Sequence, residues 1–327
     1  DKSSYAPVET IWFTMYMMQA IYPAIESKTV YIDWTDENGK RVSRCLSPMQ
    51  LGTSFGKFEI PENYTGKFIH ARSYTKWMLN FDSAFLYNKD IRILSDANTA
   101  SAKNAIVPKL TFFPEGGDAV AGVMNKIAFK ANDQYGRPVK IKGVVKSSGG
   151  ALIDSLDVLH DGMGYFFIQP KPGETFSASW EDEKKNKHVT PLPEIKNSGI
   201  SLQLSISGTK RNFLVSSSST TISGSNRIHL VGTMYQQPVF TVTKELVDKA
   251  IQGIIPTETL PSGILTVTVF DNQWHPLAER LTYINNGEYS FEPEITVQHW
   301  GLNKRAKNEI EISVPDSLMA NLSVSVA

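Results

Sequence analysis

Asp133-Gln-Tyr-Gly-Arg-Pro-Val139 is the stretch of sequence that decides the fold of this chain. It lies between two runs in which apolar and polar residues alternate, 126–131 and 139–145. Such alternation predicts β-strands, because successive side chains of a strand point to opposite faces. Asp133 can hydrogen-bond the turning backbone, and Gly136 can adopt a positive φ. The stretch therefore predicts a hairpin turn between two strands.

The same turn pattern recurs along the chain. It is found as Asp36-Glu-Asn-Gly-Lys-Arg-Val42 and, in weaker form, as Asp271-Asn-Gln-Trp-His-Pro-Leu277. An alternating strand precedes each copy, and the copies are separated by about the length of one domain. We therefore predict an all-β protein built from tandem immunoglobulin-like β-sandwich domains.

The composition is that of a folded protein with no charge bias. The chain has 327 residues, of which 41% are hydrophobic and 20% are charged, so it can bury several cores and is not disordered. It carries 33 Lys and Arg residues against 33 Asp and Glu residues. No overall basic field attracts it to nucleic acid or to an anionic membrane surface, although a neutral chain can still carry a local patch.

Strand and turn signals divide the chain into four segments. We predict sandwiches over 1–95, 108–196 and 197–287, and a partial fourth sandwich over 288–327. The small, polar run 95–104 is predicted to be a linker. One short helix is predicted in the third segment, over 243–251, where Thr243 can cap it and apolar residues share one face.

Cysteine content and hydropathy leave the compartment open. Cys45 is the only cysteine, so no disulfide can form within the chain, which fits the cytoplasm and also disulfide-free bacterial envelope proteins. No run approaches the roughly 20 apolar residues that a membrane-spanning helix needs. No leader sequence is visible, but a mature or trimmed chain would not show one.

Several stretches together indicate a family. They are Tyr5-Ala-Pro-Val-Glu-Thr-Ile-Trp-Phe13, Ala71-Arg-Ser-Tyr-Thr-Lys-Trp-Met-Leu-Asn-Phe81, Phe112-Phe-Pro-Glu-Gly-Gly117, His160-Asp-Gly-Met-Gly164, Leu260-Pro-Ser-Gly263, Ala278-Glu-Arg-Leu-Thr-Tyr-Ile-Asn-Asn286 and Ala320-Asn-Leu-Ser-Val-Ser-Val326. With them the chain resembles the macroglobulin-like (MG2-domain) envelope proteins of Bacteroidota-type bacteria, which are distant relatives of the α2-macroglobulin and complement modules. The resemblance implies tandem macroglobulin-like sandwiches at the outer membrane and supplies no activity.

The chain departs from that family pattern in two ways. Val8 occupies a position where the family usually has Gly, and a turn with positive φ there would be strained by Val. Family members usually place a strand before the segment that starts at Tyr5, so the first sandwich is expected to lack its first strand. We expect residues 1–327 to be a segment of a longer protein, held in place by the remainder of that protein or by a partner.

A search for catalytic and metal-binding patterns finds none. Cys45 lies outside any Gly-Cys-Gly-Glu-Gln run, so the thioester of the α2-macroglobulins is excluded within this chain. The six histidines show no zinc-type spacing, and there is no nucleophile elbow. The clustered oxygens of Asp33, Asp36, Glu37 and Asn38 could bind calcium, but turn chemistry explains them better. We therefore predict no catalytic residue, no cofactor and no bound metal.

Aromatic side chains supply the candidate contact surface. The six tryptophans are spread over the chain and could form sugar-binding platforms, although packing in cores or between modules is the commoner role. The best candidates for exposed contact residues are Trp77, Met78 and Phe81, in the run Lys76-Trp-Met-Leu-Asn-Phe81.

These observations favour a function in protein–protein contact. We predict a non-enzymatic scaffold or accessory subunit of the bacterial cell envelope, in the periplasm or at the surface and associated with the outer membrane. Its expected partners are other envelope proteins, in particular an outer-membrane protein or lipoprotein, and not nucleic acid. The alternative is a glycan- or peptide-binding module of a TonB-dependent uptake system. A protease-inhibitory bait protein is disfavoured, because neither a thioester nor a long bait stretch is present.

Overall fold

The computed structural model describes residues 2–19, 22–94, 106–134, 136–287, 292–314 and 322–324. These residues form β-strands joined by turns, and their only helical segments are two 3₁₀ turns, Trp77–Asn80 and Ser83–Phe85. The predicted all-β architecture of tandem β-sandwiches is confirmed. The described residues fall into two compact units, one drawn from 1–104 and 292–327 and the other from 105–291.

The first unit contains one five-stranded sheet and three strand pairs. Its strands are β1 (Ser4–Tyr5), β2 (Thr10–Tyr16), β3 (Met18–Gln19), β4 (Tyr22–Pro23), β5 (Thr29–Thr35), β6 (Arg41–Pro48), β7 (Thr53–Glu59), β8 (Phe68–Tyr74), β9 (Tyr87–Ile93), β26 (Glu294–His299) and β27 (Glu309–Ser313). The large sheet has the order β1-β9-β8-β5-β6, and the pairs are β2–β7, β3–β4 and β26–β27.

The core of the first unit lies between the large sheet and the β2–β7 pair. β5 alternates strictly between buried and half-buried residues. Its Trp34 is 2% exposed and stacks on Phe58 of β7, with ring centroids 4.3 Å apart. Cys45 lies in β6 as a free thiol, and its sulfur accepts a hydrogen bond from the Trp34 indole at 3.3 Å.

Val8 adopts the strained conformation that the sequence suggested. Its φ is 71°, in the left-handed region that a β-branched side chain rarely enters. The Val8 amide donates to the carbonyl oxygen of Ile60 at 3.0 Å, which holds the turn before β2 against the end of β7. The side chain is 57% exposed, so packing contributes little to offset this strain.

The second unit contains two sandwiches in succession. Its strands are β10 (Lys109–Pro114), β11 (Ala119–Val120), β12 (Asn125–Asn132), β13 (Lys142–Ser147), β14 (Leu152–Ser155), β15 (Met163–Ile168), β16 (Phe176–Glu181), β17 (Lys187–Pro191), β18 (Ile195–Lys196), β19 (Ile200–Ser207), β20 (Lys210–Ser217), β21 (Arg227–Met234), β22 (Gln237–Glu245), β23 (Ala250–Ile255), β24 (Gly263–Phe270) and β25 (Pro276–Ile284). The first sandwich pairs β10-β12-β15 with β14-β13-β16-β17, and the second pairs β19-β20-β23 with β22-β21-β24-β25. The short pair β11–β18 is parallel.

Each of these sandwiches encloses its own hydrophobic core. The first core joins Phe129 and Phe166 of one sheet to Val145 and Trp180 of the other. The second contains side chains from both of its sheets, among them Leu202 of β19. The domain boundaries predicted from the sequence remain predictions.

The turn at Asp133 forms, but the strands on its two sides do not make the predicted hairpin. Gly136 has a φ of 76°, and the Asp133 carboxylate accepts the Arg137 backbone N–H at 2.9 Å. Beyond one bridge between Asn132 and Pro138, however, β12 and β13 belong to different sheets. Both edges of β12 are already paired, with β10 and β15, so the chain after the turn crosses to the opposite sheet.

The helix predicted over 243–251 is wrong. Thr243 lies inside β22, which pairs with β21 as far as Glu245, and Ile251 lies in β23. Between the two strands, Asp248 and Lys249 have φ values of 49° and 67°, which form a tight turn that a helix cannot contain. The segment carries the chain from one sheet of the sandwich to the other. Leu246 and Ile251 are buried, whereas Val247 is 68% exposed.

Within the described ranges the Asp-centred turn occurs four times, one more than the sequence showed. In every copy the Asp N–H donates to the carbonyl four residues later, and the third residue after Asp has positive φ. The Asp and positive-φ residues are Asp36 and Gly39, Asp133 and Gly136, Asp182 and Lys185, and Asp271 and Trp274. The copy between β16 and β17 is not apparent from the sequence, because Lys185 stands where two of the other turns have glycine.

The described part of the fourth segment is the hairpin β26–β27. None of its described residues is buried, although the register places Ile295 opposite Ile312 and Val297 opposite Ile310 on one face. Residues 322–324 lie beside β2, where the Ser323 and Thr14 hydroxyls are 3.3 Å apart, and they form no strand. The remainder of the predicted strand 322–326, and all of the predicted linker 95–104, lie outside the described residues.

Candidate contact surface

The 75–87 segment follows β8 and carries the three residues predicted to make contacts. Two 3₁₀ turns shape it: the Met78 amide donates to the Thr75 carbonyl at 3.1 Å, and the Asp82 carboxylate caps the second turn. Trp77 is 69% exposed and Phe81 is 57% exposed, and their rings meet edge to face with centroids 6.1 Å apart. Met78 is half-buried beneath them.

Three further large apolar side chains extend this surface. Leu79, Phe85 and Tyr87 are all more than half exposed, and Phe85 is 73% exposed. Leu86 is the buried anchor among them. These three residues are not among those predicted from the sequence, although the pattern of apolar residues could have indicated them. Apolar residues are dense in this segment and follow neither the period of a strand nor that of a helix, so they cannot all face a core.

The base of the segment is held by a polar cluster on the neighbouring strands. The Arg44 guanidinium donates to the Asp33 carboxylate at 2.5 and 2.8 Å, and the Tyr74 hydroxyl donates to the same carboxylate at 3.1 Å. The Arg44 hydrogen bonds, with that from Tyr74, lower the pKa of Asp33, and burial raises the pKa of Tyr74. Tyr74 also stacks on Tyr31, with centroids 5.6 Å apart. The exposed side chains of the 75–87 segment are therefore attached next to a rigid, hydrogen-bonded cluster.

Three of the four residues weighed as calcium ligands have their carboxylates engaged in the structure. Asp33 is paired with Arg44, and Asp36 accepts backbone N–H groups from Asn38 and Lys40. Glu37 accepts the Lys67 amide at 3.0 Å. Over the described ranges, no group of three or more His, Cys, Asp or Glu side chains is placed to hold a metal ion.

A buried ion-pair cluster joins the two sandwiches of the second unit. Glu115, whose side chain is 4% exposed, lies 2.9 Å from Arg280 of β25 and 3.2 Å from Lys126 of β12. The next residue, Gly116, accepts the Glu279 amide at 3.2 Å, and a Cβ added to Gly116 would lie 2.9 Å from the Leu202 backbone nitrogen. This close approach explains the Glu-Gly pair in Phe112-Phe-Pro-Glu-Gly-Gly117. The sequence alone did not indicate this contact.

Two histidine–tryptophan pairs stack in the second unit, one on each sandwich. His188 stacks on Trp180 at 4.2 Å and His229 stacks on Trp274 at 4.3 Å. The Asn186 side-chain amide, with further donors in the same turn, lowers the pKa of Asp182 to about 2. Of the six tryptophans, two are in cores, Trp34 and Trp180. The other four are more than half exposed, so the packing role expected for most of them is not what the structure shows. Those four are Trp12, Trp77, Trp274 and Trp300.

Among the residues that the structure describes, no helix is long and apolar enough to cross a membrane.

Comparison with known proteins gives no family assignment. No family model matches the chain, and no curated protein matches it. Solved structures do match. Salmonella alpha-2-macroglobulin reacted with methylamine aligns at 10% identity and a TM-score of 0.25, covering 96% of this chain and 24% of that one. Escherichia coli alpha-2-macroglobulin activated by porcine elastase aligns at 12% identity and a TM-score of 0.26, covering 91% and 31%.

Repeat domains of adhesion proteins match to a similar degree. A tetra-tandem repeat from the extending region of a large adhesion protein aligns at 13% identity and a TM-score of 0.24, covering 89% of this chain and 74% of that one. Bacterial alpha-2-macroglobulins are thus among the matching structures, and this chain spans about a quarter of their length. At such TM-scores no function follows from the likeness, and membership of a Bacteroidota-type family stays a prediction.

Proposed function

We propose that this chain is a non-enzymatic contact module that binds another protein through the 75–87 segment. The observation that carries the proposal is the set of large apolar side chains exposed on this segment, led by Trp77, Phe81 and Phe85. Soluble monomers rarely expose contiguous apolar patches unless these are used for binding. Aromatic residues are also enriched at the centres of protein interfaces.

The surroundings of the segment support recognition rather than chemistry. The polar groups at its base are already committed to one another, since Asp33 is bound by both Arg44 and Tyr74. A surface of rigid aromatic side chains loses little conformational entropy when a partner covers it. The segment therefore suits a preorganised docking site.

The location that we propose is the bacterial cell envelope, with an outer-membrane protein or lipoprotein as the partner. This part of the proposal is supported by the macroglobulin-like sequence stretches and by the tandem sandwich architecture. The module would act as a scaffold or accessory subunit within an envelope complex.

Co-purification from native membranes tests this function. We expect the full-length protein to recover a stoichiometric partner and the double variant Trp77→Ser, Phe81→Ser to lose it by about tenfold or more, the size expected for central aromatic contacts. Trp300→Ser is the matched control, because Trp300 is 65% exposed against 69% for Trp77. Equal recovery of the partner by all three proteins would refute the assignment of this surface.

A second candidate function, glycan binding for a TonB-dependent uptake system, is favoured by one observation. On the outward face of the β2–β7 pair, Trp12 is 60% exposed and Phe55 is 77% exposed. Because Trp12 is opposite Lys57 and Thr14 is opposite Phe55, the two rings are diagonal neighbours on a flat surface. Such rings can stack on the apolar faces of sugars.

Titration with soluble xylan and laminarin oligosaccharides tests this alternative. Saturable quenching of tryptophan fluorescence that disappears in Trp12→Ala and persists in Trp300→Ala would support glycan binding. Quenching that is unchanged in Trp12→Ala would exclude this platform.

A further inference from the structure

The outward face of the sheet β10-β12-β15 combines exposed aromatic side chains with lysines. Buried residues alternate with outward ones on all three strands, which places Phe113, Tyr165, Phe167 and Met163 on the side away from the core. These four side chains are between 40% and 51% exposed. We call this side the lysine-aromatic face.

The strand register brings these residues together. Ala128 of β12 lies between Phe113 of β10 and Tyr165 of β15, so the two rings flank a small residue in one row. In the next row Lys126 is opposite Phe167. Tyr165 and Phe167 meet edge to face at 5.8 Å, and the Lys126 ammonium lies 4.1 Å from the centre of the Tyr165 ring. The face is therefore a shallow apolar surface with a hollow at Ala128.

The charge of this face is one-sided. Lys109 and Lys130 are exposed and, within the described residues, form no ion pair, while Lys126 bonds the buried Glu115. None of the outward residues on the three strands is Asp or Glu. A chain with no net charge thus carries a local excess of positive charge next to apolar rings.

The acidic residues that directly follow β10 and β12 are already paired with other cations. Glu115 is shared between Lys126 and Arg280, and Asp133 is paired with Arg137 at 2.7 Å. Asp161 lies 3.2 Å from the His160 ring. A ligand that matched this face would therefore bring its own carboxylates.

We propose that the lysine-aromatic face is a second docking site, and that its occupant is an extended protein segment in which acidic residues at two positions, i and i+2, are followed by apolar residues at i+4 and i+6. This rests on the proposed function in that the ligand is a protein. The carboxylates of such a segment would meet Lys109 and Lys130, while its apolar side chains would cover Phe113, Tyr165 and Phe167. The strand register places Lys109 and Lys130 in successive rows and the rings in the rows beyond them. An extended segment directs every second side chain toward the sheet, so its acidic and apolar residues must follow one another along the same face.

Binding of a defined peptide to the full chain tests the proposal. The probe is a fluorescein-labelled peptide, Glu-Ser-Glu-Ser-Phe-Ser-Ile, whose Glu, Phe and Ile side chains share one face when it is extended. Its control is the same peptide with Gln in place of Glu, and fluorescence anisotropy gives the dissociation constants. We expect the acidic peptide to bind about tenfold more tightly than its control and to weaken as salt rises from about 0.05 to 0.3 M.

Matched variants separate this face from a general attraction to lysine. Lys109→Glu with Lys130→Glu is expected to weaken the acidic peptide about tenfold or more. Lys142→Glu with Lys146→Glu, on the opposite sheet of the same sandwich, is expected to leave its affinity within about twofold. Phe167→Thr is expected to weaken both peptides, because it removes the apolar part of the contact.

Three outcomes would overturn the proposal: equal affinity for the acidic and neutral peptides, equal loss in both pairs of lysine variants, or no binding of the acidic peptide. A further outcome would assign the face to a lipid surface instead of a protein. In that case the chain binds phosphatidylcholine vesicles containing phosphatidylglycerol through Lys109 and Lys130 and does not bind the peptide. Failure here with the co-purified partner still recovered removes this site alone. Peptide binding without any recovered partner removes the envelope-complex proposal alone.

Discussion

Replacing Gly136 by Val is expected to destabilise the sandwich built on β12 and β13 by about 1–3 kcal/mol. Gly136 has a φ of 76°, and a Cβ added there meets nothing within 4 Å. The added side chain therefore meets no steric clash, and the cost comes from the backbone alone. A left-handed conformation costs an L-residue about 1–2 kcal/mol, and more for a β-branched side chain. The greater freedom of Gly in the unfolded chain, which Val lacks, reduces this cost by about 0.4–1 kcal/mol.

The equivalent turn between β16 and β17 allows the reverse substitution. Lys185 occupies the position of Gly136 with a φ of 63°. Lys185→Gly is therefore expected to be neutral or to stabilise by up to about 1 kcal/mol, because relief of backbone strain is partly offset by unfolded-state entropy. Lys184→Val is the control: Lys184 is exposed in the same turn without a positive φ, and its replacement should stay within about 0.5 kcal/mol.

Amide hydrogen exchange on the full chain, read by mass spectrometry, measures these effects locally. Peptides covering β12 and β13 should exchange faster in Gly136→Val, while peptides covering β8 and β9 of the other unit serve as the internal reference. Two results would show that positive φ is not the source of the destabilisation. One is unchanged protection of β12 in Gly136→Val, and the other is a loss of protection on β16 and β17 in Lys184→Val as large as the loss on β12 in Gly136→Val.

Three further predictions follow from individual residues. Val8→Gly should stabilise the first unit by about 0.5–2 kcal/mol in urea melts, because it removes the strain of a left-handed conformation. The same change at Val189, which is exposed in a strand, should destabilise the protein by about 0.5–1 kcal/mol. Stabilisation at both sites would contradict the argument. Glu115→Gln should destabilise the second unit by about 1–3 kcal/mol, since it leaves the half-buried guanidinium of Arg280 without its counter-charge, and an unchanged urea midpoint would exclude a stabilising ion pair. The pKa of Asp182 is lowered to about 2, chiefly by the neighbouring asparagine amide. Its contribution to stability is therefore complete above the unfolded value of about 3.9 and is lost as the pH falls toward 2, so exchange of β16 and β17 amides should accelerate across that window in the wild type and not in Asp182→Asn.

The predicted helix shows where local pattern fails. Residues 243–251 have apolar side chains at helical spacing and a good capping residue, yet they form the end of β22, a tight turn and the start of β23. Apolar residues three and four apart also arise when two strands that face one core are joined by two turn residues. Pairing with β21 and β20 decides between the two, and that pairing involves residues far away in the sequence.

The two contact surfaces also differ in how far they could be predicted from the sequence. Trp77 and Phe81 could be chosen from the sequence because they stand in an unpatterned, aromatic-rich run, and the structure places both at the surface. The lysine-aromatic face could not be foreseen. Lys130 and Tyr165 are distant in the sequence and become neighbours only when β12 pairs with β15 in one particular register.

The sequence by itself determined the β-class of this protein, three of its four Asp-centred turns and the strained position at Val8. Each of these depends on φ preferences and hydrogen bonds within a few residues, and such interactions are the same in any tertiary setting. Only the tertiary structure decided that β13 leaves its hairpin partner, that Glu115 meets Arg280, and which side chains share an outer face. These outcomes depend on which strand edges are already paired and on the register of that pairing, because a shift of one residue would exchange the buried and exposed faces.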